Sequence, residues 1–195
     1  MHDQDGVLLR RSAQGDEQAF TLLYRRHQAP IHRFAVRMTG STWAADEILQ
    51  DVFMTLLREP KKFDAARGSL PAYLYGIARN RVMKYFERLP RELQLPEQRD
   101  GVAIVPQAIE YRTPAHWAEV GERREQVRAA VLGLPVEFRE AVVLCELEEM
   151  SYEEAARTLQ CPVGTIRSRL HRGRALLLAR LELLRDAPKR ASASR

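Results

Sequence analysis

The sequence contains few residues of the kinds that build disulfide frameworks or metal centres. Only Cys145 and Cys161 are cysteines among 195 residues, and they form no CxxC pair and have no companion cluster of histidines. This spacing predicts neither a zinc site nor a disulfide, and it fits a reducing cytoplasm. We expect both thiols to be structural, with redox sensing as the open alternative.

Long apolar runs and alternating strand-like runs are also missing. No stretch approaches the roughly 20 apolar residues of a spanning helix, and the N-terminal segment is too charged for a signal peptide. We therefore expect a soluble, cytoplasmic, all-α protein. Its 31 basic and 26 acidic residues give a net charge of +5, which favours a polyanionic partner, with nucleic acid ahead of an acidic membrane surface.

Helical periodicity and capping signals organise the first half of the chain. Asp16 is a plausible cap for a helix that Pro30 bends or interrupts, and a second apolar stripe covers 44–58. Ser69, with Pro71 in the first turn, predicts a third helix that ends near Arg88.

Recurring prolines and mixed charges then predict a flexible linker between two small helical domains. The predicted boundaries are 1–92 and 118–186 for the domains, 93–117 for the linker and 187–195 for a disordered tail.

The second domain carries the signals of a helix-turn-helix. Ser151 and Glu154 form a capping box before a short helix, and Pro162 opens a long helix after a tight turn. On a helical projection one face of the long helix is apolar, and the other is polar, rich in arginine and free of acids until Glu182. This pattern favours duplex DNA over a solvated helix whose arginines only cover apolar surface.

The helix that follows Ser69 combines basic and aromatic residues. Its spacing directs Leu70, Leu74, Ile77, Ala78, Val82 and Tyr85 to a core. Arg79, Asn80 and Met83 point away, and Lys84 adds charge at the margin. Basic and aromatic side chains together are suited to capturing a single strand. The alternative, that the aromatics are core residues, is preferred for Tyr85 and stays open for Tyr73.

An acidic stripe lies on the predicted helix 44–58. It consists of Asp46, Glu47, Gln50 and Asp51. Three interpretations are open: a magnesium site for phosphoryl chemistry, a docking surface for a basic partner, and an ordinary solvated face. Adjacent Asp46 and Glu47 diverge by about 100° on a helix, which argues against joint chelation and favours docking.

Four ordered segments resemble the extracytoplasmic-function (ECF) group of bacterial sigma factors. They are LLRRSAQGDEQAFTLLYRRH, ADEILQDVFMTLL, SLPAYLYGIARNRV and LPVEFREAVVLCELEEMSYEEAARTLQCPVGTIRSRLHRGRALL. The resemblance implies a promoter-melting domain (region 2), a linker that threads towards the polymerase active-site channel, and a second promoter-binding domain (region 4). The chain departs from the family pattern at Ala44 and Ala45, at Tyr73 in place of a common tryptophan, and at Cys161 in place of an aliphatic residue.

The same resemblance assigns roles to residues of this sequence. Asp46, Glu47, Gln50 and Asp51 would dock on the clamp helices of core RNA polymerase. The segment 63–80 would engage the −10 element and its melted strand. The predicted −10 contacts, which extend beyond that segment, are Tyr73, Arg79, Asn80, Met83 and Lys84. Thr165, Arg167, Ser168, Arg169 and Arg172 would recognise the −35 element.

Together these observations predict a transcription initiation factor without a catalytic centre, cofactor or metal. Its expected partners are the beta-prime and beta subunits of core polymerase, promoter DNA as duplex and melted strand, and an anti-sigma factor. Two alternatives are a stand-alone helix-turn-helix repressor or activator, and a metal-dependent nucleic-acid-processing enzyme built on the acidic stripe.

Overall fold

The computed structural model describes residues 2–89 and 118–192. The regular secondary structure of these residues is all helical, without a strand. The first unit contains α1 (His2–Ala13), α2 (Glu17–Thr39), α3 (Thr42–Arg58), a 3₁₀ turn (Pro60–Lys62) and α4 (Leu70–Arg88). The second contains α5 (Ala118–Leu132), α6 (Val136–Val142), a π-helical turn (Val143–Leu147), α7 (Tyr152–Thr158) and α8 (Val163–Ser192). The predicted all-α class is confirmed.

Side-chain caps fix where the main helices begin. Asp16, Ser41 and Ser69 each accept a hydrogen bond from a backbone N–H in the first turn of α2, α3 and α4. Gly40 has φ 74°, the left-handed conformation that ends α2 and that favours glycine. Pro30 lies inside α2, which continues past it to Thr39, so the predicted bend or interruption is not a break.

The first unit is a helical bundle with an apolar centre. Phe34, Leu23, Met38 and Leu74 are fully buried, and the ring of Phe34 meets that of Tyr75 edge-on at 5.4 Å between centroids. Tyr85, predicted to face the core, is only half-buried and pairs with Phe86 instead, at 5.9 Å. The prediction for Tyr85 is wrong because the buried stripe of α4 includes Tyr75 and ends at Val82.

The two units pack against each other, an arrangement that the sequence does not predict. Helix α4 lies against α7, and α2 lies against α5 and the π-helical turn. Arg139 is 2% exposed, and its guanidinium donates to backbone carbonyls of Met38, in the first unit, and of Leu132 and Leu134, in the second. Burial lowers the pKa of Arg139 to about 10, so it stays charged at neutral pH.

The C-terminal end of the second unit differs from the prediction. Helix α8 runs to Ser192, through residues that the sequence assigns to a disordered tail. Four of the six residues from 187 to 192 are alanine, lysine or arginine, which have high intrinsic helix propensity, although Pro188 in the same segment disfavours a helix interior. The predicted linker, 93–117, lies outside the described residues. Among the described helices, none is long and apolar enough to cross a bilayer.

Candidate nucleic-acid and polymerase interfaces

The acidic stripe occupies the open face of α3. Asp46, Glu47, Gln50 and Asp51 are all exposed, while Ile48 and Val52 of the same helix are buried. Two of the carboxylates lie close to side-chain nitrogens: the Asp46 Oδ1 lies 3.1 Å from the His32 Nε2, and the Asp51 Oδ2 lies 3.4 Å from the Arg81 Nε. The helix thus presents an exposed polar surface.

A shallow apolar groove borders this stripe. Its lining combines Asp46 and Gln50 with apolar side chains of α2 and α3, among them Tyr24, Phe53 and Leu57. Leu57 and Met54 are 44% and 38% exposed, although both are apolar. Within the described part of the chain no group of three or more histidine, cysteine, aspartate or glutamate side chains could hold a metal ion. The surface suits a protein partner that offers both basic and apolar groups.

The face of α4 carries a cavity of about 420 Å³. The rings of Phe63 and Tyr73 lie 5.6 Å apart at its wall, and Asn80 and Ile77 also line it. Lys62 and Arg67 supply positive charge beside the rings, and burial raises the pKa of Tyr73, so its hydroxyl stays neutral. Aromatic faces, an amide and cations in one cavity can hold an unstacked base and its phosphate.

The five predicted strand-binding residues do not form one open surface. Asn80 and Lys84 are exposed and Tyr73 is half-buried at the cavity. Met83 packs partly against the core, which limits its access to DNA. Arg79 is turned towards the second unit, where its Nε donates to the Glu140 Oε1 at 2.7 Å.

The helix-turn-helix forms as predicted. Glu154 of α7 completes the capping box: its backbone N–H donates to the Ser151 hydroxyl, and its carboxylate accepts from the Ser151 N–H. In the turn Gln160 has φ 53°, and Pro162 immediately precedes α8. Ile166 and Leu170 are buried on the side of α8 that packs on the rest of the second unit, which confirms the apolar face.

A glycine sets how closely α8 approaches α6. A Cβ added to Gly173 would lie 2.9 Å from the Val142 Cγ2, closer than side chains tolerate. The two helices therefore cross at short range, and the crossing fixes the orientation of the polar face of α8.

The predicted duplex-binding residues lie in the first turns of α8, with Thr165, Ser168 and Arg172 on the polar face and Arg167 and Arg169 flanking it. Arg167, Ser168 and Arg172 are exposed, and Thr165 and Arg169 are half-buried. The Ser168 hydroxyl donates to the Thr165 carbonyl at 2.9 Å, a local bond that a DNA contact could replace. By contrast, Arg174 forms an ion pair with Glu146.

Some residues near these sites were not predicted from the sequence. Arg157, Thr158 and Gln160 of the second unit line the far wall of the α4 cavity. Their sequence signal is weak because they belong to the short supporting helix α7 and its turn. Only the packing of the two units places them at the cavity.

The two cysteines are half-buried thiols. Burial raises the pKa of Cys145 to about 11, so it is protonated at neutral pH. This environment disfavours thiolate chemistry at Cys145.

Comparisons with known proteins agree with this geometry. The family model for sigma-70 region 2 matches residues 23–92, and the model for sigma-70 region 4 matches residues 124–177. An ECF sigma-E factor of Haemophilus influenzae is 30% identical over 92% of this chain and 96% of its own length. The ECF sigma factor SigE of Mycolicibacterium smegmatis is 34% identical over 83% of this chain, which spans 62% of that protein.

A solved structure has the same fold. It contains the sigma factor RpoE of Bartonella quintana in complex with the anti-sigma factor NepR, and it matches at a TM-score of 0.66 and 28% identity. The match covers 84% of this chain and 96% of the other. The chain therefore belongs to the sigma-70 family of RNA polymerase sigma factors, in its extracytoplasmic-function group.

Proposed function

We propose that this sigma factor directs promoter-specific initiation through three separate surfaces. The stripe on α3 docks on the beta-prime clamp helices, the cavity on α4 holds a melted base of the −10 element, and the polar face of α8 recognises the −35 element. Contacts between the second unit and the beta subunit would fix the spacing between the two DNA elements.

The observation that carries the proposal is the pairing of two unlike nucleic-acid surfaces in one chain. The α4 cavity combines two neighbouring aromatic rings with an amide and cations, a combination suited to an unstacked base. The α8 face is largely exposed and arginine-rich, which suits the major groove of a duplex. A protein that binds duplex at one site and separated strand at another is equipped to open DNA at a chosen place.

Binding energy rather than covalent chemistry would drive promoter recognition and strand opening. Each DNA-binding surface is small, so its affinity for DNA alone is expected to be weak. When polymerase holds both surfaces, binding of one raises the effective concentration of the other at the promoter and increases the overall affinity. Action on promoters places the chain in the cytoplasm, with the nucleoid when it is part of holoenzyme. An anti-sigma factor is expected as its inhibitor, as in the complex of the Bartonella relative.

Selection from a random duplex pool tests this function against the repressor alternative. Holoenzyme assembled from purified core polymerase and the full chain should enrich two different short motifs at a constant spacing, and core polymerase alone should enrich neither. A single palindromic motif, enriched by the chain without polymerase, would favour a stand-alone repressor or activator and contradict the proposal.

A further inference from the structure

The outward face of α3 carries apolar side chains at both ends and polar side chains between them. At about 100° per residue, positions 43, 47, 50, 54 and 57 share an arc of about 80°. The residues at these positions are Trp43, Glu47, Gln50, Met54 and Leu57, and all five are exposed. We call this set the α3 line. At a rise of about 1.5 Å per residue it is about 21 Å long.

The apolar members of the α3 line are concentrated rather than scattered. The exposed fractions are 66% for Trp43, 38% for Met54 and 44% for Leu57. Single exposed apolar residues are common on protein surfaces and indicate nothing by themselves. Among the described residues of the first unit, however, only Val7 and Leu22 are large exposed apolar residues outside this line. The α3 line is therefore suited to burial against a partner.

Trp43 is held in a fixed position at the start of α3. The Ser41 hydroxyl accepts a hydrogen bond from the Ala44 backbone N–H at 3.2 Å and thereby fixes the first turn of the helix. Ala44 and Ala45, the two residues after Trp43, are 0% exposed, so this turn packs closely on the core. An aromatic side chain on such a rigid turn loses little conformational freedom when a partner covers it.

The carboxylates beside the α3 line are already partly engaged. Asp46 and Asp51 flank the line on opposite sides of the helix. Their oxygens lie near the side-chain nitrogens of His32 and Arg81, which compete with any partner for the same charge. Exposed ion pairs add little affinity on their own, so charge attraction is a limited source of binding energy at this surface. Apolar contact would supply the remainder.

The chemistry of the α3 line indicates what kind of surface would cover it. The face of an indole attracts a guanidinium or ammonium group, and methionine and leucine side chains bury apolar ones. Tryptophan is also among the residue types that most often carry the binding energy of an interface. A basic helix with apolar groups between its charges would satisfy both ends of the line and its acidic neighbours.

We propose that Trp43 is an aromatic anchor for core polymerase, with a basic side chain of polymerase over its indole and apolar groups over Met54 and Leu57. The docking surface then extends beyond the acidic stripe by about one turn at its start and about two turns at its end. This inference rests on the proposed docking of α3 on polymerase. The part that it assigns to Trp43 can fail while the docking itself stands.

The affinity for core polymerase tests the anchor. When the dye-labelled full chain is titrated with purified core polymerase, Trp43→Ala should raise Kd roughly tenfold or more. Trp43→Phe keeps an aromatic face and should raise Kd less. Leu22→Ala is the matched control, because Leu22 is 52% exposed and lies about 160° around α2 from Tyr24 of the apolar groove. This control should change Kd by no more than about twofold.

The dependence of Kd on salt separates the anchor from the charged stripe. Trp43 has no charge, so Trp43→Ala should keep the slope of log Kd against log salt concentration, whereas Asp51→Asn should reduce that slope. If the loss caused by Trp43→Ala disappears as the salt concentration is raised, the substitution acts through the neighbouring charges and the anchor is contradicted.

Quenching of the Trp43 ring tests direct contact. The chain has two tryptophans, so Trp117→Phe leaves Trp43 as the single one, and biosynthetic 5-hydroxytryptophan can be excited there without exciting the tryptophans of polymerase. Saturating core polymerase should lower the acrylamide quenching constant at least about twofold, because an anchor ring is excluded from water. A ring that only supported the shape of α3 would stay accessible. Unchanged quenching would therefore overturn the anchor.

The outcomes distinguish this inference from the proposed function. If Trp43→Ala keeps its helical circular dichroism and binds polymerase like the unsubstituted chain, the anchor is wrong, although Asp51→Arg could still abolish docking. If Trp43→Ala loses its helical circular dichroism, the quenching measurement decides, because there position 43 keeps its indole. Failure of the proposed function has another signature, since holoenzyme would then select no pair of motifs from the duplex pool.

Discussion

Replacing Arg172 by alanine should weaken recognition of the −35 element without weakening the fold. The side chain is exposed, and among the described residues it has no ion pair or hydrogen bond. Its loss should therefore change the free energy of unfolding by less than about 0.5 kcal/mol. If the guanidinium forms a bidentate contact with a base, holoenzyme should lose about 1–3 kcal/mol of binding, which is roughly 5- to 150-fold in Kd.

The assay compares duplexes that differ at single positions of the selected −35 motif. Wild-type holoenzyme should discriminate at the position that Arg172 contacts, and the variant should lose discrimination there alone. Arg174→Ala is the matched control, because its side chain lies two residues further along α8 and is engaged by Glu146.

Two results would refute this reasoning. If Arg172→Ala weakens binding equally for every duplex and reduces the salt dependence by about one phosphate contact, the residue binds backbone and not a base. If Arg174→Ala causes the same base-specific loss, the assignment of separate roles to the two arginines is wrong.

The other predictions concern stability and docking. Leu170→Ala removes a 2% exposed side chain from the buried face of α8 and should lower the free energy of unfolding by about 2–5 kcal/mol in urea titration, whereas Leu170→Met should cost under about 1.5 kcal/mol. Similar losses would mean that the site is not tightly packed. Burial lowers the pKa of His27, which forms a hydrogen bond with Asp5 at 3.0 Å. As the pH falls, His27 is therefore protonated at a higher pH in the unfolded chain than in the folded chain. The free energy of unfolding should therefore decrease as the pH falls from the ordinary histidine pKa of 6.5 towards the lower pKa of His27 in the folded chain. A His27→Gln variant whose free energy of unfolding keeps the same dependence on pH would contradict this origin. Asp51→Arg should reduce co-elution with core polymerase at least tenfold, while Glu87→Arg, an equal charge change on an exposed residue of α4, should not; equal effects would show that charge alone is responsible.

Local features of the fold could be predicted from the sequence because their causes are local. The cap residues Asp16, Ser69 and Ser151 lie within three positions of the N–H groups that they accept from, so spacing identifies them. The two faces of α8 follow from helical periodicity in the same way. The long second helix after Pro162 was predicted for this reason.

The relation between the units could not be predicted because its contacts are distant in sequence. Arg79 and Glu140 are 61 positions apart, and Tyr75 and Glu148 are 73 apart. No periodicity connects such partners, and the glutamates alone look like ordinary helical residues. Arg79 was accordingly predicted as a DNA contact, and its engagement by Glu140 emerged only from the packing.

The orientation of Tyr85 on α4 could not be predicted either, for a related reason. A helical projection gives a stripe but not the neighbours that cover it. Packing of α4 on both α2 and α7 extends burial to Tyr75, beyond the stripe that spacing selects. The buried stripe of α4 ends at Val82, so Tyr85 lies outside it and is half-exposed beside Phe86.

Transcription from genomic fragments, with start sites mapped by sequencing, tests the central claim most directly. Purified core polymerase supplied with the full chain should produce transcripts whose start sites share one pair of upstream motifs at constant spacing, and core polymerase alone should not. The absence of any promoter-dependent transcript across the fragments of the source genome, with a chain that binds core polymerase, would contradict the account.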